Sequence, residues 1–164
     1  MKLMDQIKYT LFIRTWGFLK VPMIAWLRPT VVEFSNDLIA IDIPLSRRSK
    51  NHLNSMYFGA MCVGADVAGG ILAMHFIEKD KLPINLVFAD LKVDFLKKAM
   101  GRTRFTCADG AKIKDLISEA MSSGERVSGK VTVTATCPEL SESEPVAIFE
   151  LTISLRKRKP KSAS

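Results

Sequence analysis

Residues 56–77 read MYFGAMCVGADVAGGILAMHFI, an apolar run whose only acidic or basic residues are Asp66 and His75. The run has the length and apolarity of a membrane span. Two features argue for burial inside protein instead. A carboxylate near the middle of a lipid-embedded helix is costly, and the sequence that follows alternates apolar and polar residues as half-buried strands do. Gly59, Ala60, Gly64, Ala65, Ala68, Gly69, Gly70 and Ala73 weaken a solvent-facing helix but let neighbouring backbones approach closely. Such a helix belongs at the centre of a fold, wrapped on all sides.

Working outward, the segment after Pro83 supplies the wrapping. Val87, Ala89, Leu91, Val93 and Phe95 oppose Asp90, Lys92 and Asp94, and then Thr103, Phe105 and Cys107 oppose Arg102 and Arg104. Joined near Met100 and Gly101, these runs are expected to be neighbouring strands. A short amphipathic helix follows, with Ile113, Leu116, Ile117, Ala120 and Met121 at helical spacing, opened by Asp109 and closed around Gly124. Two more alternating runs complete the chain, Val127, Val131, Val133 and Ala135 in one and Ala147, Phe149, Leu151, Ile153 and Leu155 in the other.

Upstream of the apolar run, Ile39, Ile41 and Ile43 point one way and Ala40 and Asp42 the other, until Pro44 ends a first strand. Residues 5–18 read as an amphipathic helix, followed by an irregular stretch marked by Pro22 and Pro29. Its apolar face caps the domain, or meets a membrane or an acyl chain. About five half-buried strands and one all-apolar helix require an α+β fold in which an antiparallel sheet curls around the helix. The expected organisation is an N-terminal helical extension over 1–35, one compact domain over 36–158 and a basic tail over 159–164.

The chain is long enough for one full core and too short for two. Lys and Arg number 24 against 17 Asp and Glu, a formal charge of +7. The excess is a solvated tail in part, with phosphate groups of a ligand or an anionic membrane as the other readings. No interleaving of basic and aromatic residues on a strand pattern, and no zinc-finger spacing, points to nucleic acid. Cys62, Cys107 and Cys137 are odd in number, widely spaced and set in apolar segments, as core residues in a reducing, cytoplasmic compartment would be. His52 and His75 are not paired with each other or with a cysteine at metal-ligand spacing, so no metal and no cofactor is expected.

Asn51, Gly59 and Asp66 are the residues that could carry chemistry. Gly59 stands near the start of the long helix, where amides lack intrahelical partners and the helix dipole is positive, a site that can hold a developing oxyanion. Asp66 lies two turns further on between Ala65 and Val67. A lone carboxylate there is either used in catalysis or tied to a loop or a second subunit. His52, beside Arg47, Arg48 and Lys50, reads as a surface residue.

Asn51, Asn54, Tyr57, Phe58, Gly59 and Asp66 together resemble the motif of the PaaI-like hotdog acyl-CoA thioesterases, Asn-x-x-Gly-x-x-His-Gly-Gly with an Asp seven residues after the last Gly. Asn51 matches the Asn, Gly59 the second Gly of the pair and Asp66 the catalytic Asp. Tyr57 stands in place of the His, Phe58 of the first Gly and Asn54 of the earlier Gly, a wording similar to a less characterised thioesterase-like branch. The resemblance implies a hotdog fold and a homodimer, with a tetramer open, acting on acyl-CoA or a related acyl thioester. It implies Asp66 as general base, Gly59 as oxyanion donor and Asn51 as positioning group, with Tyr57, Phe58 and Asn85 against the substrate. The alternative is a hotdog protein that binds an acyl chain or acyl-CoA without catalysis.

Overall fold

The computed structural model describes residues 3–158, so the tail expected over 159–164 lies outside the described residues. The helix read from the opening stretch is α3, Phe58–Lys79 in the full order α1 Leu3–Lys20, α2 Pro22–Leu27, β1 Thr30–Phe34, β2 Ile39–Ile43, α3, β3 Ile84–Phe95, β4 Thr103–Cys107, α4 Gly110–Ser123, β5 Arg126–Cys137 and β6 Ser141–Lys157. The strands form one antiparallel sheet ordered β1-β2-β4-β5-β6-β3. It wraps α3 in the hotdog arrangement, and the membrane-span reading falls away because most of α3 is buried against this sheet.

Small residues make the wrapping tight. A Cβ added at Gly64 would sit 2.5 Å from the ring of Phe105, which is fully buried on β4. At Gly69 a Cβ would meet Val131, Leu151 and Val133 at 3.5–3.7 Å, ordinary contact, so the closest approach is the one at Gly64. Around this seam the inward residues of β2, β4, β5 and β6 are almost wholly excluded from water, as their period of two requires. The second helix, α4, ends as its sequence indicates, with Gly124 in the left-handed conformation (φ 70°). Its opening differs. Asp109 caps no helix amide and instead accepts a 2.6 Å hydrogen bond from the Thr132 amide of β5.

Two further differences concern the sheet. The alternating runs around Val87–Phe95 and Thr103–Cys107 are not neighbours. Twelve-residue β3 pairs along nearly its whole length with seventeen-residue β6 and forms one edge, whereas five-residue β4 is inserted between β2 and β5. The intervening chain leaves β3 by bonding Leu96 and Lys97 amides to the Val146 carbonyl, then passes the start of α3, where Ala99 O accepts the Met56 amide at 2.9 Å. Longer pairing on β6 outweighs a local hairpin whose loop offers no tight-turn pair. The stretch read as irregular between Pro22 and Pro29 contains α2, and β1 follows it as a sixth strand on the opposite edge. β1 is short, carries Glu33 and is paired on one side only, which leaves its alternation faint in sequence.

Between β2 and β4, Asp42 is 5% exposed and faces Arg104, which donates to its two carboxylate oxygens at 2.8 and 3.1 Å. The two residues are register partners, so the ion pair locks the strands against slippage.

The α3–β4 contact can be tested directly. Gly64→Ala should destabilise the protein by about 1–3 kcal/mol through overpacking, read by urea denaturation, and Phe105→Leu in the same chain should recover part of the loss. Equal stability of Gly64→Ala and the parent would show that the seam is not close-packed.

Candidate functional site

The polar loop before α3 is built by Asn51. Its side-chain oxygen accepts the amides of Leu53 and Ser55 at 2.9 and 3.2 Å, and its amide nitrogen donates to Ser55 Oγ at 3.0 Å. The turn is completed by Asn54 in the left-handed region (φ 59°). Tyr57 N–H then bonds Ser49 O at 2.7 Å and delivers the chain into α3. The side chain of Asn51 is thus engaged in holding the loop that presents the helix start.

At that start Tyr57 caps no amide with its side chain, and the first helical bond is Met61 N–H to Tyr57 O at 3.1 Å. The amides of Phe58, Gly59 and Ala60 precede the ladder, where N–H groups are free of intrahelical partners. The Tyr57 ring lies over Gly59, so close that a Cβ there would meet it at 2.5 Å. Tyr57 and Phe58 pack on each other, ring centroids 4.7 Å apart, and both are about half exposed. They form an open apolar rim around the Gly59 amide.

Asp66 projects from the middle of α3 and has no ion-pair partner among the described residues. Burial alone acts on its carboxyl and holds it above the usual carboxylate range. Two hollows meet at this side chain. One, about 390 Å³, runs between α3, the start of β3 and the α1–α2 corner, and includes Trp16, Val21, Ile24, Asn85 and Phe88 in its walls. The other, about 350 Å³, lies along β3 and includes Cys62, Val63, Ala89 and Leu91. Asp66 and Phe88 belong to both.

Asp66 and Asn85 therefore share a cavity, while Asn51, Tyr57, Phe58 and Gly59 gather at the other end of the helix. Gly59 and Asp66 are seven residues apart on one helix, a rise of about 10 Å, so one chain does not bring them together. Phe88 and Gly70 were not apparent as site residues. A Cβ on Gly70 would stand 3.2 Å from the Phe88 ring and 4.0 Å from an Asp66 oxygen, so this glycine makes the room in which ring and carboxylate meet. The Gly69-Gly70 pair was the available signal, absorbed into the general smallness of the helix. His52 sits in an exposed turn, and His75 is packed among Tyr9, Phe34 and Phe76 away from Asp66's hollows. Among the described residues no group of three His, Cys, Asp or Glu is arranged to hold a metal ion.

Comparison with known proteins follows this geometry. A family profile described as "Domain of unknown function (DUF4442)" matches residues 11–154. No curated protein matches the chain. Among solved structures, a putative thioesterase from Shewanella oneidensis superposes with a TM-score of 0.74 at 14% identity, over 91% of this chain and 99% of its own. A protein of unknown function from Pseudomonas aeruginosa, described as a probable thioesterase, gives 0.75 at 21% identity over 91% and 96%. A protein of unknown function from Chlorobaculum tepidum gives 0.79 at 12% identity over 93% and 97%. At these identities the likeness establishes the shared fold.

The raised carboxyl has a consequence for stability. A group whose folded pKa lies above its unfolded value stabilises the fold below the unfolded pKa and loses that contribution as pH rises through the folded pKa. Ionised Asp66 therefore opposes folding near neutrality. Asp66→Asn should raise the melting temperature at neutral pH, with the gap to the parent closing as pH falls through the carboxylate range; thermal melts across pH measure it. A variant that melts lower than the parent at neutral pH would mean the carboxylate holds a structural partner.

Proposed function

Because the chain belongs to the DUF4442 family, a domain of unknown function with a hotdog fold here, we propose that it hydrolyses acyl-CoA or related acyl thioesters. The observation that carries this is Asp66: a carboxylate with no ion-pair partner among the described residues, raised by burial, where two hollows meet on an otherwise apolar helix. Such a group is suited to take a proton from a water attacking a thioester carbonyl. The Gly59 amide, ahead of the helix ladder, suits the oxyanion. The 390 Å³ hollow, walled by Trp16, Ile24 and Phe88, suits the acyl chain, with Asn85 at its edge. Asn51 acts by shaping the loop that sets Gly59, and Tyr57 and Phe58 line the approach. No cofactor is invoked.

The separation of Gly59 from Asp66 supports a two-chain site, in which Gly59 of one subunit faces Asp66 of another. β3 is the surface we assign to this homodimer. It is a twelve-residue edge strand with one free side, and its Val87, Leu91 and Phe95 are 39–51% exposed. An unpaired apolar edge of that length is a template for pairing. A tetramer could be assembled from such dimers. In this reading residues 36–158 are the hotdog unit, 1–35 an extension that lends β1 to its sheet, walls the acyl hollow and makes peripheral membrane contact, and the protein is cytoplasmic. A binder without catalysis remains the second reading, favoured by the Tyr57-Phe58 pair standing where the resembling family has His-Gly.

Asp66→Asn should lower hydrolysis of acyl-CoA by about 10²–10⁴-fold while leaving a folded protein that binds acyl-CoA; steady-state assays with a binding measurement decide this. A variant hydrolysing at the parent rate overturns the general-base role, and an inactive parent that still binds acyl-CoA establishes the binder. In the same assays Leu91→Lys should yield a monomer by light scattering with turnover lost alongside. A fully active monomer would overturn the shared site.

A further inference from the structure

The side of α1 that turns away from the domain is apolar. Thr10, Ile13 and Gly17 are buried against the fold, while Met4, Leu11, Phe18 and Leu19 fall on the opposite half of the helix and are 57–78% exposed, with Lys8 and Thr15 among them. Met23 and Trp26 of α2, 57% and 55% exposed, extend this surface around the corner. A helix with one apolar side on its own domain and a second facing outward is built to cover something else.

What surrounds the surface is positive. The Arg48 guanidinium stacks 4.8 Å above the Trp26 ring. Arg28 terminates α2, and Lys8, Lys20 and Arg47 are exposed. None of these five cations is ion-paired with a carboxylate among the described residues. Adjoining α1, a recess of about 370 Å³ is lined by Arg14, Arg28, Arg102 and Arg104, with Asp42 as its one carboxylate. Asp42 is occupied by Arg104, with Arg102 3.5 Å away, and Arg102 also approaches Glu139 at the outside. Arg14 is held in place by the carbonyls of Pro29 and Arg28 and by Thr30 Oγ1, at 2.8–3.3 Å. Burial, with a smaller push from the Arg28 charge, lowers the Arg14 pKa, consistent with positive charge left uncompensated in the recess.

We propose that α1 and α2 form a docking face for an anionic phospholipid bilayer, the apolar stripe entering the interface and the arginine recess receiving a headgroup phosphate. Apolar side chains rimmed by unpaired cations are what such an interface selects, and the Arg28 guanidinium, the one of the recess not engaged by a carboxylate or a carbonyl among the described residues, suits phosphate oxygens. Asp5 is the one carboxylate on α1 and α2, against Lys8, Arg14, Lys20 and the Arg28 that ends α2, so the charge of the face is predominantly positive. The placement also has a use. Trp16, Val21 and Ile24 at the α1–α2 corner wall the hollow that ends at Asp66, so the docked face adjoins the path an acyl group would take from a membrane. That last link rests on the thioesterase reading; the docking itself does not.

The test uses the full chain with vesicles of phosphatidylcholine alone or mixed with phosphatidylglycerol, read by co-sedimentation and by the blue shift of tryptophan fluorescence. Binding should require phosphatidylglycerol, weaken with salt and fall by about fivefold for each of Arg28→Gln and Arg48→Gln. Leu11→Glu, at an exposed position, should retain the fold by circular dichroism and lose at least tenfold in partition, while hydrolysis of a water-soluble acyl-CoA stays at the parent rate. Asp66→Asn should partition like the parent, which separates docking from turnover. Four results would overturn the proposal: no binding to either vesicle, equal binding to both, unchanged partition of Leu11→Glu, or an oligomer that Leu11→Glu dissociates in a protein without lipid affinity.

Discussion

The approach of α3 to the sheet is the constraint on which the other features depend. Gly64 seats the helix backbone against the Phe105 ring of β4, where a Cβ would not fit, and at Gly69 only the width of a Cβ separates the backbone from Val131 and Leu151 of β5 and β6. That packing excludes water from the centre and leaves α3 hydrophobic nearly all round. It also dictates where anything polar on α3 can go. Only the side of the helix away from the closest strands is open, and Asp66 is there, between the start of β3 and the α1–α2 corner.

A carboxylate in such a place works against folding, because burial disfavours its charged form and it has no ion-pair partner among the described residues. Asp42 is a useful contrast within the same molecule. It is more deeply buried but is gripped by Arg104 through two hydrogen bonds, and its role is explained by strand register. The two acids thus contrast a structural ion pair with a buried carboxylate that has no ion-pair partner among the described residues. Gly70 and Phe88 shape the space around the second, and the N-terminal helices close it from above with one face while presenting a second apolar face outward.

Several elements were legible because their signals are local. Ile39, Ile41 and Ile43 alternate, α4 shows its stripe and its closing Gly124, and the apolar length of α3 stands out against everything around it. Other features depend on partners remote in the chain. β1 has too few residues and too mixed a pattern to announce itself, and β3 chose β6 over the nearby β4 because the longer ladder satisfies more backbone groups. Asp109 reads as a helix cap, yet Thr132, twenty-three positions away, claims its carboxylate. Asn51 carries a motif match, and its observed hydrogen bonds stay within its own loop.

By itself, then, the sequence determined a buried small-residue helix, a sheet of alternating strands to enclose it and an isolated acid midway along it, because periodicity and composition are properties of neighbouring residues. The motif resemblance added the hotdog fold and pointed to Gly59 and Asp66. The order of strands, the insertion of β4, the meeting of Asp66 with Asn85 and Phe88, and the clustering of Arg14 and Arg28 with Arg102 and Arg104 were decided only in three dimensions. Each joins residues far apart in the chain, and which distant pairs meet is set by the competition among long-range contacts for the same hydrogen bonds and the same buried surface.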